Sequence, residues 1–298
     1  MFGDRMLVQV RYYTDPACSW SWGAEPKLRR LMWEFGDALR FEWVMGGLAR
    51  QFGSGYVDEE AGIDADSDRD CFAALMAHWL DVAAETGMPC DPRIWTRNPI
   101  SSSYPACTAV KAASEQGPEA GYRYLRRLRE GMLVERRKLD NAEALVAEAG
   151  PAGLDLDRFR IDLSSHAITE RFAADLDEVR NPPQEALDAG KVKRTERHQR
   201  IAFPSALFVG DEARHGVWGW QPYEAYRDAA IAAGATPADA GILDPLAAVE
   251  RFGRVATREL EVLSDRSRPL VEAELWGLAK EWKLRPVAAL TGTLWEAA

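Results

Sequence analysis

Apolar and polar positions follow a β-like pattern near both ends of the first 235 residues and a helical one between them. "MLVQVRYY" (6–13) predicts a buried strand. "EPKLRRLMWEFG" sets Leu28, Leu31, Met32 and Phe35 at helical spacing, and Gly36 ends the run. "LRFEWVMGG" (39–47), rich in β-formers, predicts a second strand parallel to the first, giving a βαβ unit. From about Asp64 to Arg180 the period is helical, with Gly87 closing the first long helix. Strand character returns at "FPSALFVG" (203–210) and "HGVWGW" (215–220), close enough to form an antiparallel hairpin, and "QPYEAYRDAAIAAG" supplies a closing helix.

The order βαβ, helical insert, ββα is that of an α/β thioredoxin fold carrying a helical insertion at about 64–180. "ATPADAGILDP" (235–245) reads as a linker. Three helical runs and a terminal hairpin follow, predicting a small winged-helix-like domain. The expected domains are therefore 1–235 and 240–298.

Composition narrows the function classes. Net charge is -10, which disfavours general binding to nucleic acid or anionic membrane. Glu272, Glu274 and Glu281 against Lys280 make the would-be recognition helix of the C-terminal domain a poor match for phosphates. Trp276, Trp282 and Trp295 suit either the core of that domain or a protein interface. No segment approaches the ~18 apolar residues of a membrane helix. The N-terminal run lacks signal-peptide features, so a cytoplasmic protein is expected. Cysteines at 18, 71, 90 and 107 form no Cys-x-x-Cys pair, and with four scattered histidines suggest no metal site.

The chemistry concentrates in "YTDPACSWSWGAEP" (13–26). Cys18 follows a strand and an Asp-Pro turn and precedes a helix. Unpaired N–H groups there favour a thiolate and predict a pKa lowered from ~8.5 toward neutrality. Trp20 and Trp22 would line an apolar rim. Phe203, Pro204 and Ser205 open the third strand, where a cis proline would face the cysteine and present backbone to a substrate. Ser21 stands where a second sulfur would resolve a mixed disulfide; its hydroxyl cannot, but can hydrogen-bond the thiolate. Such a site can act as a monothiol, hold a ligand such as a shared iron–sulfur cluster, or survive as a relic in a binding fold. No cofactor is called for beyond a small cellular thiol as reductant, and the cluster is disfavoured. Cys90, in "GMPCDP", is expected to be the accessible candidate for an internal resolver, and Cys107 to be buried. The basic run 191–200, with Lys193, Arg194 and Arg197, should lie near the site face and hold an acidic partner or thiol carboxylates; a solvated face is the alternative.

"DPACSWSWG" resembles the active-site segment of DsbA-family oxidoreductases of the FrnE type. "DPACSWSWGAEPKLRRL", "NPISSSYPACTAVKAASEQGPEAGYRYLRRLRE", "FPSALFV" and "GWQPYEAY" are similar to the SpxH family of cytoplasmic adaptors, which deliver Spx to the protease ClpXP. The likeness covers nearly the whole chain. It implies that Cys18 is the first redox-motif cysteine and Pro204 the thioredoxin-fold proline, whereas Ser21 departs from the dithiol pattern. The expected function is a DsbA-like monothiol oxidoreductase acting through Cys18, Ser21 and Pro204 on a protein thiol; the alternative is a non-catalytic adaptor binding a client protein.

Overall fold

The computed structural model describes residues 7–298 apart from Glu60, Glu196, Arg197 and Asp239. The chain opens with β1 (Val8–Thr14), a five-residue helix α1 (Ser19–Gly23), α2 (Glu25–Phe35) and β2 (Leu39–Met45). A small hairpin, β3 (Val57–Asp58) and β4 (Ile63–Asp64), leads into the helical insert. The insert runs α3 (Asp68–Thr86), α4 (Ile94–Arg97), α5 (Tyr104–Ser114), α6 (Pro118–Arg129), α7 (Ala142–Ala149), α8 (Leu156–Leu163), α9 (His166–Arg180) and α10 (Gln184–Asp188). A second hairpin, β5 (Val192–Arg194) and β6 (Gln199–Ile201), precedes β7 (Ser205–Val209), β8 (Arg214–Val217) and α11 (Tyr223–Ala232). The C-terminal unit is α12 (Pro245–Phe252), β9 (Val255–Ala256), α13 (Thr257–Ser264), α14 (Arg268–Lys280), β10 (Leu284–Ala288) and β11 (Thr293–Ala297).

The main sheet has the order β2-β1-β7-β8, with β1 parallel to β2 and antiparallel to β7. Val8, Val10 and Tyr12 bury one face of β1, as period-two alternation demands. The register sets Thr14 beside Met45 and Tyr13 beside Ser205. The turn leaving β1 therefore emerges beside the loop that enters β7. The insert is helical throughout; Ser67 caps α3 by accepting from the Asp70 N–H, and Gly87 at φ +75° ends it.

The C-terminal unit contains one strand more than its sequence suggests: β9 pairs with β11, so a three-stranded sheet, β10-β11-β9, joins the three helices. Two residues are too short a run to declare a strand by alternation. Trp295 is buried there and donates to Thr257 Oγ1 at 2.9 Å, whereas Trp276 and Trp282 are 51% and 86% exposed.

The unit is not a loosely linked appendage. α13 packs along α2, and between them lies a buried charge cluster. Arg126 grips Glu259 with both terminal nitrogens, at 2.7 and 3.0 Å, and reaches Glu25 at 3.2 Å. Arg29 stands 3.2 Å from Glu259, Arg126 Nε donates to Glu130 at 2.7 Å, and Arg129 bonds Glu25 and the Thr14 hydroxyl. The three arginines and three glutamates are all 6% exposed or less. Burial alone would raise the Glu25 carboxyl, but Arg129, Arg126 and Arg29 outweigh it and hold it below the ordinary carboxylate value.

Removing one partner of such a cluster leaves an uncompensated buried charge, at a cost of about 3–5 kcal/mol. Glu259→Gln should lower the free energy of urea unfolding at pH 7 by that amount. Glu272→Gln, in an exposed pair with Arg268, should change it by less than about 1 kcal/mol. The Glu25 contribution is fully present above the unfolded value of ~4.3 and is lost as pH falls through the depressed folded value. Wild-type urea midpoints should accordingly fall more steeply than those of Glu25→Gln as pH drops from ~4.3 toward the depressed folded value.

Candidate thiol site

Cys18 is the N-cap of α1, with extended backbone (φ −77°, ψ 115°), and its Sγ accepts from the Ser21 backbone N–H at 3.4 Å. Asp15, fully buried, builds the turn that places it. One carboxylate oxygen accepts from the Ala17 N–H at 2.8 Å. The other accepts from the Leu48 N–H at 2.6 Å, the Ser103 hydroxyl at 2.9 Å and the Cys107 thiol at 3.2 Å. Asp15 thus ties the turn to the loop after β2 and to the start of α5. The Asp-Pro step in the sequence marks the turn, but nothing local to it announces the distant partners.

The other wall is the loop before β7. The Phe203–Pro204 peptide is cis. Phe203 is buried against Gly46, where an added Cβ would sit 1.8 Å from its ring, so only glycine fits. Ser205 is buried and fully used: its hydroxyl donates to Ala202 O and accepts from the Gly219 N–H, each at 2.7 Å. It fixes the loop rather than facing a ligand.

Cys18 opens onto a cavity of about 20 Å³, room for about one water. Its lining includes Phe203, Arg200, Trp20, His78 and, from the segment around β3, Tyr56 and Asp58. That segment and α3 cover the sulfur, leaving Cys18 only 6% exposed. Burial pushes the thiol up to about 11. The Ser21 hydroxyl and N–H and the Arg200 charge pull the other way, and Asp15 adds to the rise. The Ser21 hydroxyl is buried and has no hydrogen-bond partner among the described residues, which leaves it available to a thiolate at Cys18. The acidic thiol expected from the sequence is thereby corrected: α1 has five residues, and desolvation outweighs what its N–H groups supply.

Other expected residues separate. Trp20 lines the cavity, with its ring 5.3 Å from that of Trp220 and 6.4 Å from His78. Trp22 does not form a rim. It is 2% exposed, donates to Pro89 O at 2.8 Å and lies 4.4 Å under the Arg126 guanidinium, so it belongs to the charge cluster. Lys193 and Arg194 sit on β5 and do not line the cavity, while Arg197 lies outside the described residues. The residue of that basic run that does reach Cys18 is Arg200, buried on β6, 4.5 Å over the Phe203 ring. Alternation would put Arg200 on the face opposite Ile201, yet both are buried, so no local pattern marked its inward position. Cys90 is also corrected: it is 2% exposed, its N–H is bonded to Thr291 Oγ1 at 2.8 Å, and burial pushes its thiol up to about 11. Cys107 is buried and bonded to Asp15. All four thiols are free.

A four-stranded mixed sheet with a cysteine capping the first helix and a proline loop beside it defines a DsbA-like thioredoxin fold. The family model described as "Thioredoxin" matches residues 12–181, and the chain belongs to that family. It is 28% identical to the ClpXP adapter protein SpxH of Halalkalibacterium halodurans, over 98% of this chain and 89% of the relative. The fold is shared with a Nitrosomonas europaea protein described as a disulfide isomerase (TM-score 0.57, 21% identity, 76% of this chain and 97% of that one). It is shared also with the cytosolic disulfide reductase DsbM of Pseudomonas aeruginosa (TM-score 0.50, 20% identity, 70% and 88%).

Iodoacetamide alkylation of Cys18 in the folded protein should have a midpoint near about 11, against ~8.5 after unfolding. Ser21→Ala should raise it further. The raised value also means that stability is constant below ~8.5 and falls as pH rises through the folded value. A folded-state midpoint at or below ~8.5, by rate measurements across pH, would refute this account of the site.

Proposed function

We propose that this protein is a binding adaptor built on a thioredoxin scaffold, with Cys18 a covered thiol rather than a turnover nucleophile. The burial of Cys18 carries the reading. At pH 7 a thiol near about 11 is ionised to only about one part in 10⁴, and Ser21 supplies no second sulfur to clear a mixed disulfide. The relatives named as ClpXP adapter proteins match along almost the whole chain, the C-terminal unit included. The clamp between that unit and α2 supports a role for it in one binding body. By this likeness the partner is a client protein handed to a ClpXP-type protease. The helix–strand–helix–helix–strand–strand order supports a winged-helix-like module, and the carboxylates of α14 favour protein over DNA as its contact. Four free thiols support a reducing compartment, the cytoplasm.

A second reading, a monothiol oxidoreductase using Cys18, Ser21 and Pro204, is favoured by one observation. Phe203, from the proline loop, and Arg200 share the cavity of Cys18. Substrate entry would then require the segment around β3 to move.

Affinity capture from cells separates the readings. An adaptor should retain the same client in wild type and Cys18→Ser, resistant to dithiothreitol, and adding the protein should speed degradation of that client by purified ClpXP. A monothiol enzyme should instead give dithiothreitol-sensitive adducts that vanish in Cys18→Ser, and Ser21→Cys should gain insulin-reductase turnover.

A further inference from the structure

A large cleft lies away from Cys18 and shares no lining residue with its cavity. It has a volume of about 790 Å³, within the range of small-molecule sites, and runs between the edge strand β2 and the C-terminal unit. One wall is a stack of three rings. Trp43 lies between Phe41 (centroids 5.3 Å apart, planes 6° apart) and Tyr122 (5.4 Å, 25°). The stack is fixed in advance. Trp43 donates to Pro118 O at 2.8 Å, and the Tyr122 hydroxyl donates to Glu25 at 2.9 Å while accepting from Arg29 at 3.0 Å. Phe41, at the outer end, is half-exposed.

Arginines converge on the same cleft from both units. Arg29, Arg126, Arg127 and Arg254 are committed to ion pairs. Arg40 on β2, Arg123 on α6 and Arg251 on α12 have no carboxylate partner among the described residues. Arg123 uses only Nε, on Ala152 O at 3.1 Å, and the Arg251 guanidinium stands 5.6 Å from the Phe252 ring. Asp37 and Glu119 also reach the rim without pairing to these three, so the attraction is local rather than a broad positive field. Free guanidinium forks suit phosphate oxygens, and a parallel aromatic stack suits a flat ring.

We propose that the cleft binds a purine nucleotide, with the base against Phe41 and the phosphates held by Arg40, Arg123 and Arg251. The inference does not depend on Cys18 or on the adaptor reading. Because the arginines come from both units, a bound nucleotide should also raise the thermal midpoint.

Titration calorimetry on the full-length protein tests it with ADP, ATP and GTP, against adenosine, pyrophosphate and an acidic phenylalanine-containing peptide. At least one nucleotide should bind saturably below about 1 mM, more tightly than adenosine or pyrophosphate, and more weakly as salt rises. Arg251→Gln and Arg40→Gln, each at an exposed side chain without an ion pair, should each weaken it by about tenfold while leaving the circular dichroism unchanged. The proposal is overturned if no nucleotide binds in that range, or if both variants bind as wild type does, which would put the ligand elsewhere. Pyrophosphate binding as tightly as the nucleotide would mean that no ring is read, and overturns it too. Binding of the peptide alone overturns it in favour of a peptide groove.

Discussion

Three arginines and three glutamates share one buried volume between the thioredoxin half and the C-terminal unit, and the molecule is organised around keeping them neutral together. Isolated, any of these charges would cost several kcal/mol to bury. Together they balance, and nearby protein groups take up further hydrogen-bonding capacity: the Tyr122 hydroxyl donates to Glu25, and the Ala256 N–H donates to Glu259. A cluster of this kind adds little net stability over a well-packed apolar core. Its effect is on arrangement. Glu25 begins α2, Arg126 and Arg129 lie on α6, and Glu259 lies on α13, so one geometry of three distant segments satisfies all of them.

The same cluster reaches the thiol site from below. Arg129 bonds Thr14, the residue before Asp15, and Arg126 covers Trp22, one turn after Cys18. Asp15 secures the other side of the turn through Leu48, Ser103 and Cys107. The cysteine is therefore held in position from two directions by buried polar contacts. What buries the sulfur and raises its pKa is the cover above it.

Local signals made much of this legible. Alternation in "VQVRYYT", helical spacing after Glu25, and the two closely spaced β runs near residue 210 correctly give the parallel β1–β2 pair and the β7–β8 hairpin. The cysteine at the head of a helix was equally readable, because a cap is a local event. Three things were not. The Glu25–Arg126–Glu259 contact spans more than two hundred residues, and each partner alone looks like an ordinary charged surface position. Trp22 sits one turn past the cysteine, where sequence cannot say whether a ring faces outward or into the protein. The covering segment around β3 pairs over only two residues, Val57 with Asp64 and Asp58 with Ile63, too few to register as strands.

The acid strength of Cys18 shows how these levels compete. A helix N-terminus and a hydroxyl at Ser21 each favour a thiolate, and in an open site they would prevail. A helix of five residues offers few aligned peptide dipoles, and charge stabilisation at helix ends is confined to the terminal turn. Full burial opposes them and can move an ionisable group by 3–5 units. The direction of the net shift follows from which contribution is larger, and here the cover decides it. The segment around β3 and α3 are thus the elements that set the acid strength of this thiol.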